Sequence, residues 1–240
     1  MSNPRHLRRI LGQTRRRCCE LIGIDRYSRP SLNGLDRKLE QYLDFDGGYF
    51  VEAGANDGFT QSNTYYFERL RGWRGVLIEP VPELVSKCRS NRPSSRVFES
   101  ALVSLDYLKS DIILDYSNLT SSVVGAFGDE AKRARHQADG LGIQHINGSL
   151  QLVVPARTLT SILNEAGAPH DFDLLSLDVE GYEAMALDGL DFTLYRPRHL
   201  LIEVRNPVAI DACLGDYYGK VAVLNENSSY QDVLYVRRKD

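Results

Sequence analysis

No apolar run in this 240-residue chain lasts more than a few residues, far short of the ~20 that a membrane-spanning helix requires. No apolar stretch with a small-residue cleavage site follows the basic N-terminus, so a secretory signal is not expected and the chain reads as cytoplasmic. Cysteine is scarce, with only Cys18, Cys19, Cys88 and Cys213. The adjacent pair is poorly placed to bridge itself, and neither CxxC nor a Cys/His ligand spacing occurs. Reduced thiols are therefore expected, and zinc is not. With 42% hydrophobic and 25% charged residues, disorder and low-complexity architectures are excluded. A chain of this length can bury roughly 70% of its unfolded surface without a staple.

A broad basic face is missing as well. The net charge is −3, but residues 1–29 hold eight Arg against Glu20 and Asp25, a local +6, which leaves −9 on residues 30–240. An acidic body argues against nucleic acid as the main partner. Within the basic arm, Leu7, Ile10, Leu11, Cys18, Leu21 and Ile22 recur at spacings of three and four. Arg8, Arg9, Arg15, Arg16 and Arg17 fall largely between them, which predicts a basic amphipathic helix. Two expectations follow: peripheral contact with an anionic membrane surface, or an arm packed loosely on the domain with its charges solvated.

From residue 30 onward, strand and helix patterns alternate. Strands are expected at 48–54, 75–79, 96–103, 172–178 and 199–205, with helices at 61–70, 82–88, 159–166 and 183–190. This predicts an α/β, doubly wound sheet, mostly parallel. Patterns at 220–225 and 232–237 would close it with an antiparallel pair. Residues 104–154 break the alternation. They carry a strand pattern at 111–116 and a charged helix at 129–138, and read as an irregular insert suited to a lid or acceptor pocket.

The strongest chemical signal is the run Val51, Glu52, Ala53, Gly54, Ala55, Asn56, Asp57, Gly58. An apolar strand ends there in a glycine turn before a helix, the place where open α/β sheets bind ligands. Gly54 and Gly58 permit close backbone approach, and free N–H groups suit an anionic group. The G-x-G-x-x-G dinucleotide fingerprint is absent, which weighs against a nicotinamide-dependent oxidoreductase. The turn fits better the acidic-x-Gly-x-Gly-x-Gly pattern of S-adenosylmethionine enzymes, with Glu52 as the acid and Asn56 in the middle glycine's place. Glu79 closes the second strand and suits the two hydroxyls of a ribose, with Pro80 and Val81 as an apolar wall for adenine. Two later strands deliver Asp178, Glu180 and Glu203 to the same edge. Residues two apart on a strand share a face, so Asp178 and Glu180 can cooperate.

These runs, together with Gln61 to Thr64 and Asp178-Val179-Glu180-Gly181, resemble the FkbM family of methyltransferases over roughly residues 30–237. The resemblance implies a class I methyltransferase, Rossmann-like fold, S-adenosyl-L-methionine as methyl donor, and a small-molecule or glycan acceptor methylated on a hydroxyl. It matches Gly54, Asn56, Asp57 and Gly58 to the methionine portion, Glu79 to the ribose, and Ser100 and Ala101 to the adenine edge. Ser62 and Thr64, at the expected helix start, suit the methionine carboxylate. The base is expected from Asp178 or Glu180, or from His136 or His145. A metal-assisted alternative, by analogy with catechol-type O-methyltransferases, places Mg²⁺ on Asp178, Glu203 and Asn206. A non-catalytic donor-binding scaffold of the same fold is the other reading.

Overall fold

The computed structural model describes residues 4–116, 122–123 and 150–239. The expected helix at 129–138, His136 and His145 lie outside them. Helix α1 (Pro4–Leu21) forms the arm. It is followed by α2 (Leu35–Glu40), β1 (Tyr49–Ala53), α3 (Tyr65–Leu70), β2 (Arg74–Glu79), α4 (Pro82–Asn91) and β3 (Arg96–Glu99). A second set comprises β4 (Ala101–Leu102), β5 (Asp111–Tyr116), β6 (Ser122–Val123) and β7 (Leu150–Arg157). Alternation then returns with α5 (Leu159–Ala166), β8 (Leu174–Leu177), α6 (Glu183–Asp188), β9 (His199–Val204), α7 (Pro207–Leu214), β10 (Tyr218–Glu226) and β11 (Gln231–Arg237). No helix among the described residues is long and apolar enough to cross a membrane.

The main sheet runs β3-β2-β1-β8-β9-β11-β10. The pairings from β3 through β9 are parallel, and β11 lies antiparallel to both β9 and β10. Strand order reverses between β1 and β8, the switch point at which such sheets open a crevice.

Alternation of side chains sorts the core into two layers. Val51, Val76, Leu175, Leu200 and Tyr235 stand in one register row and pack with Ile162 of α5, Leu187 of α6 and Ile210 of α7. Phe50, Leu77, Leu174, Leu201 and Leu234 face the other way, onto Leu39 of α2, Phe67 of α3 and Cys88 of α4. Helices thus cover both faces, as the sequence pattern predicts.

Three local readings are corrected. The expected third strand breaks at Ser100: β3 stays in the main sheet, while β4 leaves to pair with β7. The described part of the irregular insert is a small sheet, β4-β7-β5-β6, with a core that includes Ile112, Leu114 and Val154. The helix expected from Gln61 starts only at Tyr65, because the preceding residues are held by Glu52 in another conformation.

Candidate functional site

A cleft opens at the carboxyl ends of β1, β2 and β8, where strand order reverses. Gly54, Asn56, Glu79, Pro80, Ser100, Ala101, Asp178 and Glu180 line it. Ile78, Leu84, Leu102 and Leu114 supply an apolar wall, and Thr60, Gln61, Val179 and Tyr182 complete the rim.

The cleft depends on a tight junction between its two loops. Gly54 has φ +82°, and a Cβ there would stand 1.7 Å from the carbonyl oxygen of Asp178. Only glycine fits. Asp178 N–H in turn donates to the Ala53 carbonyl. Asn56, Gln61 and Glu180 take positive φ as well, at 51°, 61° and 56°, and all three line the cleft. Strained non-glycine backbone of this kind gathers at functional sites.

Two backbone donors fix the Glu79 carboxylate at the cleft. Its two carboxylate oxygens accept the N–H groups of Asn56 (2.9 Å) and Val81 (3.0 Å). Burial pushes its pKa up to about 7 against the pull of those two bonds. Each oxygen keeps a lone pair for a further donor, as a ribose diol would require.

Opposite it stands an acidic cluster around one guanidinium. Arg205 Nη2 lies 2.7 Å from Glu180 Oε2 and 2.6 Å from Glu203 Oε1, the latter without hydrogen-bond alignment. Glu183 accepts the N–H groups of Val179 and Gly181, tying down the loop after β8. Asp178 Oδ1 is buried without a hydrogen-bond partner. Burial and the charges of Glu180 and Glu183 raise its pKa well above the carboxylate range, although Arg205 pulls the other way. Glu203 is shifted upward for the same reasons, burial first and then Asp178.

Several sequence-expected residues lie elsewhere. Glu52 shares the sheet face of Leu77 and Leu201, so it points into the helix layer instead of the cleft. There it accepts bonds from Ser62 Oγ, Thr64 Oγ1 and Asn63 N. Ser62 and Thr64 therefore spend their hydroxyls on Glu52 and do not line the cleft. Asp57 turns onto its own loop and accepts the N–H groups of Phe59 and Thr60. Gly58 is packed against Cys88 and Arg92. Glu203 is buried outside the lining.

The Mg²⁺ set needs correction in the same way. Asn206 caps α7 by accepting Ala209 N–H. The carboxylates that do converge are Asp178, Glu183 and Glu203, with oxygens within 4.8 Å of one another. Arg205 already supplies positive charge there, and Glu183 is committed to backbone N–H groups. With Asn206 turned to its cap and a guanidinium already among these carboxylates, no Mg²⁺ site is assigned to them.

Arg92, fully buried, was not expected from the sequence; nor was the part played by Arg205 and Glu183. The sequence signal for Arg205 was present: it stands two residues after Glu203, the spacing that keeps a counter-charge on the same side of a strand.

No curated protein matches the chain in sequence. Among solved structures, an FkbM methyltransferase from Methylobacillus flagellatus is 15% identical with a TM-score of 0.47, over 80% of this chain and 44% of its own. A TehB-like S-adenosylmethionine-dependent methyltransferase from Corynebacterium glutamicum is 13% identical with a TM-score of 0.45, covering 98% of this chain and 100% of its own. A third, an S-adenosylmethionine-dependent methyltransferase from Aquifex aeolicus, shows 11% identity and a TM-score of 0.44 over 84% and 88%. The family description "Methyltransferase FkbM domain" matches residues 52–218, from the acid of the first strand to the start of β10. With the glycine turn and the carboxylate at the end of β2 both within that span, the chain belongs to the FkbM family of S-adenosylmethionine-dependent methyltransferases.

Proposed function

We propose that the chain methylates a hydroxyl of a sugar, glycan or related natural product, with Asp178 as general base. The observation that carries this reading is the placement of Asp178 in the same cleft as Glu79, with one oxygen unpartnered. When bound, S-adenosylmethionine supplies an electrophilic methyl group on a sulfonium, and transfer is an in-line displacement that depends on positioning.

The residues present fit that donor. Glu79, oriented by Asn56 and Val81, would accept from the ribose hydroxyls. Pro80, Ala101 and the apolar wall would enclose adenine, and the open backbone at Gly54 and Asn56 would receive the methionine end. At the other side, Asp178 takes the acceptor's hydroxyl proton as the oxygen–methyl bond forms and the carbon–sulfur bond breaks. Burial and the neighbouring carboxylates raise its pKa, the direction that strengthens a carboxylate as a base once it is ionised. Glu180, pinned by Arg205, and Gln61 offer polar groups for a polyhydroxylated acceptor. The acidic lining disfavours an anionic one.

The test is to incubate the protein with a trideuteromethyl donor and pools of free, glycan-bound and lipid-linked sugars, then locate the label by mass spectrometry. Label on a sugar oxygen supports the reading. Label confined to nitrogen or carbon acceptors would sink it, and donor binding with no transfer would favour the non-catalytic scaffold.

A further inference from the structure

Helix α1 meets the domain with charged side chains and leaves apolar ones in water. Arg16 is 6% exposed, its guanidinium 3.6 Å from the ring centre of Phe59. Glu20, one turn on, accepts from Ser28 Oγ (2.7 Å), Tyr65 OH (2.9 Å) and Arg69 Nε (3.1 Å). At about 3.6 residues per turn, Leu11, Cys18 and Leu21 fall on the side opposite this anchor. Leu11 is 60% exposed and Leu21 85%, and Cys18 is exposed as well. Ile22 and Ile24 extend the patch just past the helix end, at 72% and 44%. Arg15 and Arg17, both exposed, flank the strip on its two sides.

A surface helix of a globular domain ordinarily buries its apolar stripe. Here the stripe is the part left over, and it is bordered by cations. We propose that this face of α1 docks on an anionic phospholipid bilayer. Apolar side chains between arginines are the composition of a helix that lies in the interfacial plane, and the cations add attraction to anionic headgroups. The charge balance points the same way: the body carries −9 and would be repelled, whereas the arm carries +6. A second copy of the chain is a poor occupant, because pairing two such faces sets arginine rows against each other. The rim of the cleft lies beneath the same helix, on its anchored side. Phe59, beneath Arg16, is followed by Thr60 and Gln61, which line the cleft.

The experiment is flotation of the full chain with phosphatidylcholine vesicles, with and without phosphatidylglycerol. Flotation is expected only with the anionic lipid, and rising salt should release it. Leu21→Glu combined with Ile22→Glu should lower the bound fraction about tenfold, and Arg15→Gln with Arg17→Gln should weaken the preference for anionic lipid. Both side-chain pairs are exposed, so the thermal transition should stay in place. Failure to float with phosphatidylglycerol, or equal flotation of the Leu21/Ile22 variant, overturns the proposal. So does a lipid-free dimer, seen by sedimentation velocity, that the same variant dissolves.

Discussion

Arg92, fully buried, and Arg205, partly buried, both sit among carboxylates and are used in opposite ways. Arg92 faces two acids, Glu68 at 2.7 Å and Glu52 at 3.5 Å, and also bonds the Gly58 carbonyl, Ser62 Oγ and Thr64 Oγ1. Its acids receive further donors from Ser62, Asn63, Thr64 and Ser95. Arg205 faces Asp178, Glu180, Glu183 and Glu203 with one positive charge, and its own Nε is left unpaired. The first cluster sets one cation against two acids and bonds most of its polar atoms, Glu68 Oε1 excepted, which suits a structural network. The second carries excess negative charge in a cleft, so its carboxyls rise in pKa, a mark of sites that move protons.

Substitutions can break this contrast. The largest effect should come from Arg92→Met, which leaves Glu52 and Glu68 buried without their cation. A loss of about 3–5 kcal/mol is expected in denaturant unfolding; a loss within ~0.5 kcal/mol would show that the hub is not structural. Asp178→Asn should do the reverse, leaving the melting temperature unchanged or higher because it relieves the overloaded cluster. Turnover should fall roughly 10²–10⁴-fold with donor affinity little changed. A fully active Asp178→Asn variant would remove Asp178 as the base.

The smallest effect concerns Glu79 and pH. Its pKa in the fold, about 7, lies above the unfolded value near 4.5. The stability it contributes is therefore complete below the unfolded value and is lost as pH rises through about 7. Glu79→Gln should flatten that part of the stability–pH curve between about 4.5 and 7. An unaltered curve, followed by thermal unfolding across that range, would contradict the assignment.

The parallel sheet was legible because its strands are short apolar runs closed by Gly, Pro or an acid, with helical spacing between them. One end of the cleft was legible for the same reason: Gly54, Asn56 and Glu79 sit where strands stop. What the sequence concealed was side-chain direction. Glu52 and Glu79 look alike as acids near strand ends. However, Glu52 is one residue short of the end and shares the parity of Leu77 and Leu201, which sends it into the helix layer. The acids facing Arg92, and Glu180 facing Arg205, lie 24 to 40 residues away, so no local pattern announces those pairings; Glu203, two residues before Arg205, is instead a local partner. The β7 strand was missed because its pairing partner, β5, lies across the insert.

The position of β11 carries a consequence for how the chain reaches this state. It is the last strand of the sheet to leave the ribosome, yet it lies inside, with Val233, Leu234 and Tyr235 buried between β9 and β10. Until it emerges, β10 has no neighbour and the flank of β9 is bare. The nascent sheet must therefore wait, unfinished, for its final segment to slot in.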